Sequence, residues 1–220
     1  MPTEHSRHAP SSLLPNAQDA LIIGAAVRLS EAATAIGALY PDFGEVFRRY
    51  GSAQVRNAGT LCGNVANGSP IGDSPPGLIA LGAEMTLRRG DTRRRIPVEA
   101  FFIDYGKQDR QPSEFVESIT VPKPRPGWLF RMFKLSKRFD QDISAVCGAF
   151  HLEVADGTVR SARVAYGGMA ATPRRALRAE AALVGRPWSE PTVRAAMAAM
   201  AEDFAPITDM RASAWYRQEA

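Results

Sequence analysis

A segment crowded with glycine and proline sets the first limit on this fold. Glycine recurs at Gly59, Gly63, Gly68, Gly72, Gly77 and Gly82, Gly51 stands just before, and Pro70, Pro75 and Pro76 fall among them. Glycine loses the most backbone entropy on ordering, and proline has no N–H to donate. The density therefore predicts no helix and no long strand between Val55 and Gly82. A long irregular stretch inside a compact domain is either functional or disordered. Apolar Leu61, Val65 and Ile71 favour an ordered loop that binds a ligand.

The flanks carry the periods of an α+β fold. Residues 1–19 show none and read as a mobile leader. Leu21–Val27 reads as a buried strand, Ser30 as the cap of a helix over Glu31–Leu39, and Phe43–Tyr50 as a second helix ended by Gly51. Glu84–Arg88 alternates, Gly90-Asp91 offers a turn, and Arg93-Arg94-Arg95 follows, which predicts an exposed hairpin with a solvated basic tip. Val116–Val121 is a strand closed by Pro122. Pro122-Lys123-Pro124-Arg125-Pro126 marks a boundary, so residues 20–122 and 127–217 form two subdomains. In the second, Trp128–Leu135 places Phe130, Met132 and Lys134 on one face, and Ala149–Val154 and Val159–Tyr166 flank the turn Asp156-Gly157. Thr172-Pro173 opens a helix through Leu183, with Arg174 and Arg175 solvated at its start. Ser189 caps a further helix through about Phe204. The sum is an antiparallel sheet with helices on one face.

Composition removes whole classes of function. Of 220 residues, 45% are hydrophobic and 23% charged, the balance of a soluble globular chain. The longest apolar stretch, Leu21 to Val27, is far short of the ~20 residues that span a bilayer. Met1–Pro10 has no apolar core of a secretory signal, so a cytoplasmic location is expected. Two cysteines, Cys62 and Cys147, cannot supply the four thiolates of an iron–sulfur cluster, and three histidines, two of them in the leader, do not build a zinc site. Both cysteines read as buried small apolar residues, and His151 as exposed. The net charge of +4 is concentrated in the arginine run, which lacks the aromatic interleaving of a nucleic-acid surface. Neither a nucleic-acid nor a membrane partner is expected.

The chemistry lies in the glycine segment. Glycines let backbone amides approach a ligand and form anion-binding concavities. Asn64, Asn67, Ser69 and Asp73 add short groups that donate to phosphate or hold hydroxyls. A ligand with phosphates, sugar alcohols and a planar ring fits, although neither a Walker loop nor Gly-x-Gly-x-x-Gly is present; a loop that only bridges core elements stands as the alternative. The stretch Phe130–Ile143 is the second candidate, with Lys134 and Arg138 beside Asp140 and Asp142. Solvated charges at a strand end are its bland reading.

Together, Gly59-Thr60-Leu61-Cys62-Gly63-Asn64, Ser69-Pro70-Ile71-Gly72-Asp73 and Phe133-Lys134-Leu135-Ser136-Lys137-Arg138-Phe139-Asp140-Gln141-Asp142-Ile143 resemble the FAD-binding domain of the molybdenum hydroxylases, in the form of the bacterial xanthine dehydrogenase small subunit. Phe101-Phe102 with Tyr105-Gly106-Lys107, Val164–Met169, Thr172–Ala176 and Met210–Ser213 extend the resemblance from about Asp19 to Arg217. The resemblance implies a partial FAD-binding subdomain followed by a C-terminal subdomain like that of CO dehydrogenase flavoproteins. It implies an oxidoreductase subunit passing electrons from iron–sulfur clusters through FAD to NAD. The clusters and the molybdopterin would lie in partner chains or other domains. By position, Gly63 and Asn64 would contact the pyrophosphate or ribityl region. Asn67, Ser69 and Asp73 would hold ribityl and phosphate oxygens. Phe115 and Val116 would pack on the isoalloxazine ring, and Lys134 would reach its polar edge. Tyr50 and Tyr105 would flank the nicotinamide face, and Asp140 and Asp142 would tune the charge beside the flavin. The family's iron–sulfur domain and first FAD subdomain, with its glycine loop, would precede Leu21, yet residues 1–20 contain no glycine. A second reading follows from this: a truncated, non-catalytic or assembly subdomain that does not bind FAD by itself.

Overall fold

The computed structural model describes the backbone of residues 13–17 and 19–220, and side chains from residue 19 onward. An antiparallel pair, β1 (Leu13–Ala17) and β2 (Ala20–Gly24), comes first. The leader expected over residues 1–19 thus contains a strand; the rest of that expectation, residues 1–12, lies outside the described residues. Five helices follow: α1 (Leu29–Leu39), α2 (Pro41–Arg49), α3 (Ala53–Ala58), α4 (Leu61–Ala66) and α5 (Ser74–Ala80). The chain then forms the hairpin β3 (Glu84–Arg89) and β4 (Thr92–Pro97), and a small ribbon, β5 (Phe102–Asp104) with β6 (Lys107–Gln108). Strand β7 (Phe115–Pro122) returns between β2 and β3, completing an antiparallel sheet of order β1-β2-β7-β3-β4.

The second sheet contains β8 (Trp128–Leu135), β9 (Val146–Ala155), β10 (Thr158–Gly167) and the short β11 (Arg174–Arg175), in the order β11-β10-β9-β8. Asp156 and Gly157 both take positive φ in the β9–β10 turn, as their residue types predict. Helices α6 (Leu177–Leu183) and α7 (Glu190–Met200) cover one face of this sheet, and α8 (Ala214–Glu219) closes the chain. The helix expected from Thr172 begins five residues later. Arg174 and Arg175 pair as a strand with Tyr166 and Ala165, and Arg175 is bonded to Glu180 rather than solvated.

The helix-free expectation for the glycine segment is corrected by α3, α4 and α5. Ser52 accepts a hydrogen bond from the Val55 N–H and Thr60 from the Gly63 N–H, so two short helices gain side-chain caps. In α5 the prolines occupy the first turn, where their missing N–H costs nothing, and all seven residues are buried. Burial against neighbours outweighs weak propensity here.

These helices join the two sheets. Helix α4 packs on β2 and β7, α2 packs on β8, and α5 packs on β9 and β10. One core therefore runs from Ile23 and Ile119 through Phe43, Leu61 and Ile79 to Met132 and Ala149. Each fully buried side chain of this size contributes about 1.5–3 kcal/mol. Helices α1 and α2 meet at Gly37 and Gly44, where a Cβ on Gly44 would stand 2.8 Å from the Gly37 Cα.

The basic hairpin is present, but four of its five arginines, all except the exposed Arg89, are paired with carboxylates. Arg88 and Arg93 bond Glu117 at 2.8 and 2.7 Å, and Arg94 bonds both Glu114 and Asp109 at 2.8 Å. Glu117 and Glu114 lie on and beside β7, so the arginines bind the sheet together rather than offering a free cationic patch.

His151 is also corrected. It is buried, because α5 covers the face of β9 on which it stands. Its Nδ1 pairs with the Ala80 carbonyl at 3.2 Å, its Nε2 has no partner, and Trp128 meets it edge-on at 4.5 Å. Burial lowers its pKa below 6.5, Arg163 adds to that, and the Ala80 carbonyl and Glu153 oppose it. The unfolded chain therefore binds more protons just below pH 6.5, so stability is full above that value and declines as pH falls through the folded-state pKa. Urea unfolding between pH 5 and 8 should show this slope. His151→Gln, which keeps a donor for Ala80, should flatten it; an unchanged slope would place the titration elsewhere.

Candidate functional site

The turn after α2, the glycine loop and the β8–β9 loop enclose a cavity of about 270 Å³. Its walls are Tyr50, Gly51, Val55, Asn64, Asn67, Ser69, Ile71, Gly72, Asp73 and residues 141–144. Thr60 caps α4 and so sets Asn64 on its exposed turn. The Asn64 amide donates to the Tyr50 hydroxyl at 2.9 Å and accepts from Ser74, the first residue of α5. Burial first, then the negative charge of Asp73, raises the Tyr50 phenol pKa.

Beneath these groups lies a buried ion pair. Lys134 Nζ meets Asp73 Oδ2 at 2.5 Å, with side chains 1% and 4% exposed. Ser144 Oγ donates to Asp73 Oδ1 at 2.5 Å and accepts from Lys134 Nζ at 3.0 Å. The β8–β9 loop is held from two sides. Asp142 accepts from the N–H groups of Arg138 and Ile143 at 2.9 and 3.0 Å, and the first of these bonds is the main cause of its lowered pKa. Arg49, from α2, donates to the carbonyls of Phe139 and Lys134 at 2.6 and 2.9 Å.

The structure thus brings together Tyr50, Asn64, Asn67, Ser69, Asp73 and Asp142 around one cavity, with Gly63 on the helix that carries Asn64. Lys134 lies under the floor, so the expected contact of its ammonium with a ring edge is replaced by a contact with Asp73. Val116 faces the core, not a ligand, and Phe115 is half-exposed at the start of β7; neither lines the cavity. Tyr105 is exposed on the wall of an adjoining cavity of about 280 Å³, which shares Ile71 with the first and is also lined by Arg217 and Asp209. Asp140 is exposed and lines neither. Sequence reasoning missed Ser144, one residue past the quoted motif, and Arg49; both act through contacts distant in sequence.

Among the described residues, no lysine or arginine lines the first cavity. Asp73 is neutralised by Lys134, and Asp142 is engaged by the backbone of its own loop. Asn67 and Gln141 bond within the chain only through their backbone N–H and carbonyl groups, leaving both side-chain amides for a ligand. This set of amides and hydroxyls suits uncharged hydroxyls, carbonyls and ring N–H groups. Both thiols are buried, and burial pushes Cys62 up to about 12 and Cys147 well above its usual range, which favours the protonated form of each. No group of three or more His, Cys, Asp or Glu converges as metal ligands among the described residues, and no helix there is long and apolar enough to cross a membrane.

Comparison with known proteins places this geometry. Residues 13–124 match the family described as the FAD binding domain in molybdopterin dehydrogenase, and residues 131–220 match the CO dehydrogenase flavoprotein C-terminal domain. Among solved structures, carbon monoxide dehydrogenase from Hydrogenophaga pseudoflava superimposes with a TM-score of 0.86 at 29% identity, over 93% of this chain and 71% of that one. Quinoline 2-oxidoreductase from Pseudomonas putida 86 gives 0.82 at 25% identity, over 94% and 72%. In sequence, nicotinate hydroxylase of Emericella nidulans is 36% identical over 151 residues, and xanthine dehydrogenase/oxidase of Gallus gallus 35% over 149. Each alignment covers 66% of this chain but 11% of the relative's length. The two sheets and these matches define a flavoprotein module of the α+β class. The chain belongs to the FAD-binding domain family of the molybdopterin dehydrogenases.

Proposed function

We propose that this chain is the FAD-binding electron-transfer module of a xanthine dehydrogenase-like molybdenum hydroxylase, working with molybdopterin and iron–sulfur partners. The convergence of Asn64, Asn67, Ser69, Asp73 and Ser144 on one cavity with no cation in its walls carries the reading. Such a wall fits the ribityl hydroxyls and the ring edge of FAD better than its phosphates, and the phosphate contacts expected of Asn67 and Ser69 narrow to hydroxyl contacts. FAD, when bound, supplies the two-electron chemistry. Asn67 and Gln141 would bond it through their free amides, and Asn64 would be held in place for it by Tyr50 and Ser74. The adjoining cavity beside Tyr105 is the place for an electron acceptor. NAD in that role and a cytoplasmic location belong to the proposal and rest on the sequence reading.

Titration of the chain with FAD, followed by flavin fluorescence, tests this. Saturable binding is expected, and Asn67→Ala, at an exposed position, should weaken it about 3- to 10-fold, the worth of one hydrogen bond. Absence of saturable binding would favour the assembly subdomain that does not bind FAD.

A further inference from the structure

Ser144 ends the β8–β9 loop and is buried, yet it lines the cavity. It touches both members of the ion pair: its one proton goes to Asp73 Oδ1 and one of its lone pairs accepts from Lys134 Nζ. A hydroxyl has two lone pairs, so one acceptor position remains after both bonds are made. Asp73 belongs to the glycine loop, Lys134 to β8 and Ser144 to the loop after it. Three segments that meet at the cavity are therefore fastened at one hydroxyl. The neighbouring Ala145 N–H donates to the Leu135 carbonyl at 2.8 Å, which closes the base of the loop and fixes where residue 144 stands.

We propose that Ser144 is a positioning residue of the flavin site, holding the Asp73 carboxylate and its loop in the geometry that binds the uncharged part of the ligand. This rests on the flavin-binding reading above. Without the hydroxyl, Asp73 Oδ1 loses its Ser144 donor inside the protein, and its loop is tied across the site by Lys134 alone. An unsatisfied buried group of this kind corresponds to a loss of about tenfold in an equilibrium constant. Because the affected wall carries no cation, the loss should be the same for a ligand without phosphates.

The test compares FAD and riboflavin binding by the wild-type chain, Ser144→Ala and Ser144→Thr, well below the unfolding temperature of each. Ser144→Ala should raise Kd for both ligands by about the same factor, near tenfold, and Ser144→Thr, which keeps the hydroxyl, should restore most of it. A purely structural serine would lower the unfolding temperature and leave both Kd values unchanged, which would overturn the proposal. A loss for FAD but not for riboflavin would also overturn it, because the contact would then concern the phosphates. If the wild-type chain binds neither ligand, the flavin reading itself fails and the proposal falls with it. If wild type binds and Ser144→Ala binds equally, the proposal alone fails.

Discussion

Lys134→Ala should lower the unfolding free energy by about 3–5 kcal/mol, the cost of leaving one member of a buried ion pair without its partner. Both side chains are almost fully enclosed, and the pair is closed at 2.5 Å. Removing the ammonium leaves the Asp73 carboxylate in the interior with Ser144 as its remaining side-chain donor. The loss is large because the charge is stranded, not because the pair itself is strongly stabilising. Lys134→Met combined with Asp73→Asn removes both charges and should recover most of the difference. Urea unfolding followed by circular dichroism measures both variants. A loss under 1 kcal/mol in Lys134→Ala would mean that the pair is solvated, and the cavity floor would have to be drawn again.

Gly168→Ala should be comparably damaging, at about 2–5 kcal/mol, for a steric reason. Gly168 has φ +85°, and a Cβ there would stand 2.3 Å from the Ala145 carbonyl oxygen, a backbone atom. The left-handed conformation costs a non-glycine residue about 1–2 kcal/mol, and overpacking adds about 1–3 kcal/mol. The residue has no freedom to move away. Its N–H donates to the Pro70 carbonyl at 2.8 Å, and its own carbonyl accepts from Arg217 at 2.7 Å. Relief of the clash would therefore pull on the glycine loop at Pro70, and flavin affinity should fall together with stability. Gly157→Ala is the control: φ is +69° there, nothing stands within 4 Å, and only the conformational cost of about 1–2 kcal/mol should appear. Equal effects in the two variants would show that packing at Gly168 contributes nothing.

Local chemistry announced much of this molecule. The Asp156-Gly157 turn, the basic hairpin and the alternation of β8 are properties of neighbouring residues, and each stands where the residue types put it. The linked motifs likewise carry the signature of the family in short runs of neighbouring residues. The helices of the glycine segment were hidden for the opposite reason. Six or seven residues are too few to hold a helix on propensity alone, and α5 exists because β9 and β10, α4 and the turn at Val98–Phe101 pack around it and bury it. His151 was misread because alternation assumes that one face of a strand meets water, and both faces of β9 are covered.

The amino-acid sequence by itself determined the longer strands of both sheets, their turns, the family and the segments that form most of the cavity wall, because these depend on residues close together along the chain. Lys134 marks where that reach ended. Its alternation with Phe130 and Met132 put it on their face, but that this face is buried at Lys134, where an isolated ammonium would be prohibitive, is a fact of the packing. Which group answers it was decided only by the tertiary structure, through Asp73, 61 residues away. A side chain's face follows from the two-residue period of its own strand, whereas the charge that neutralises it arrives on another segment whose approach only the packed core decides.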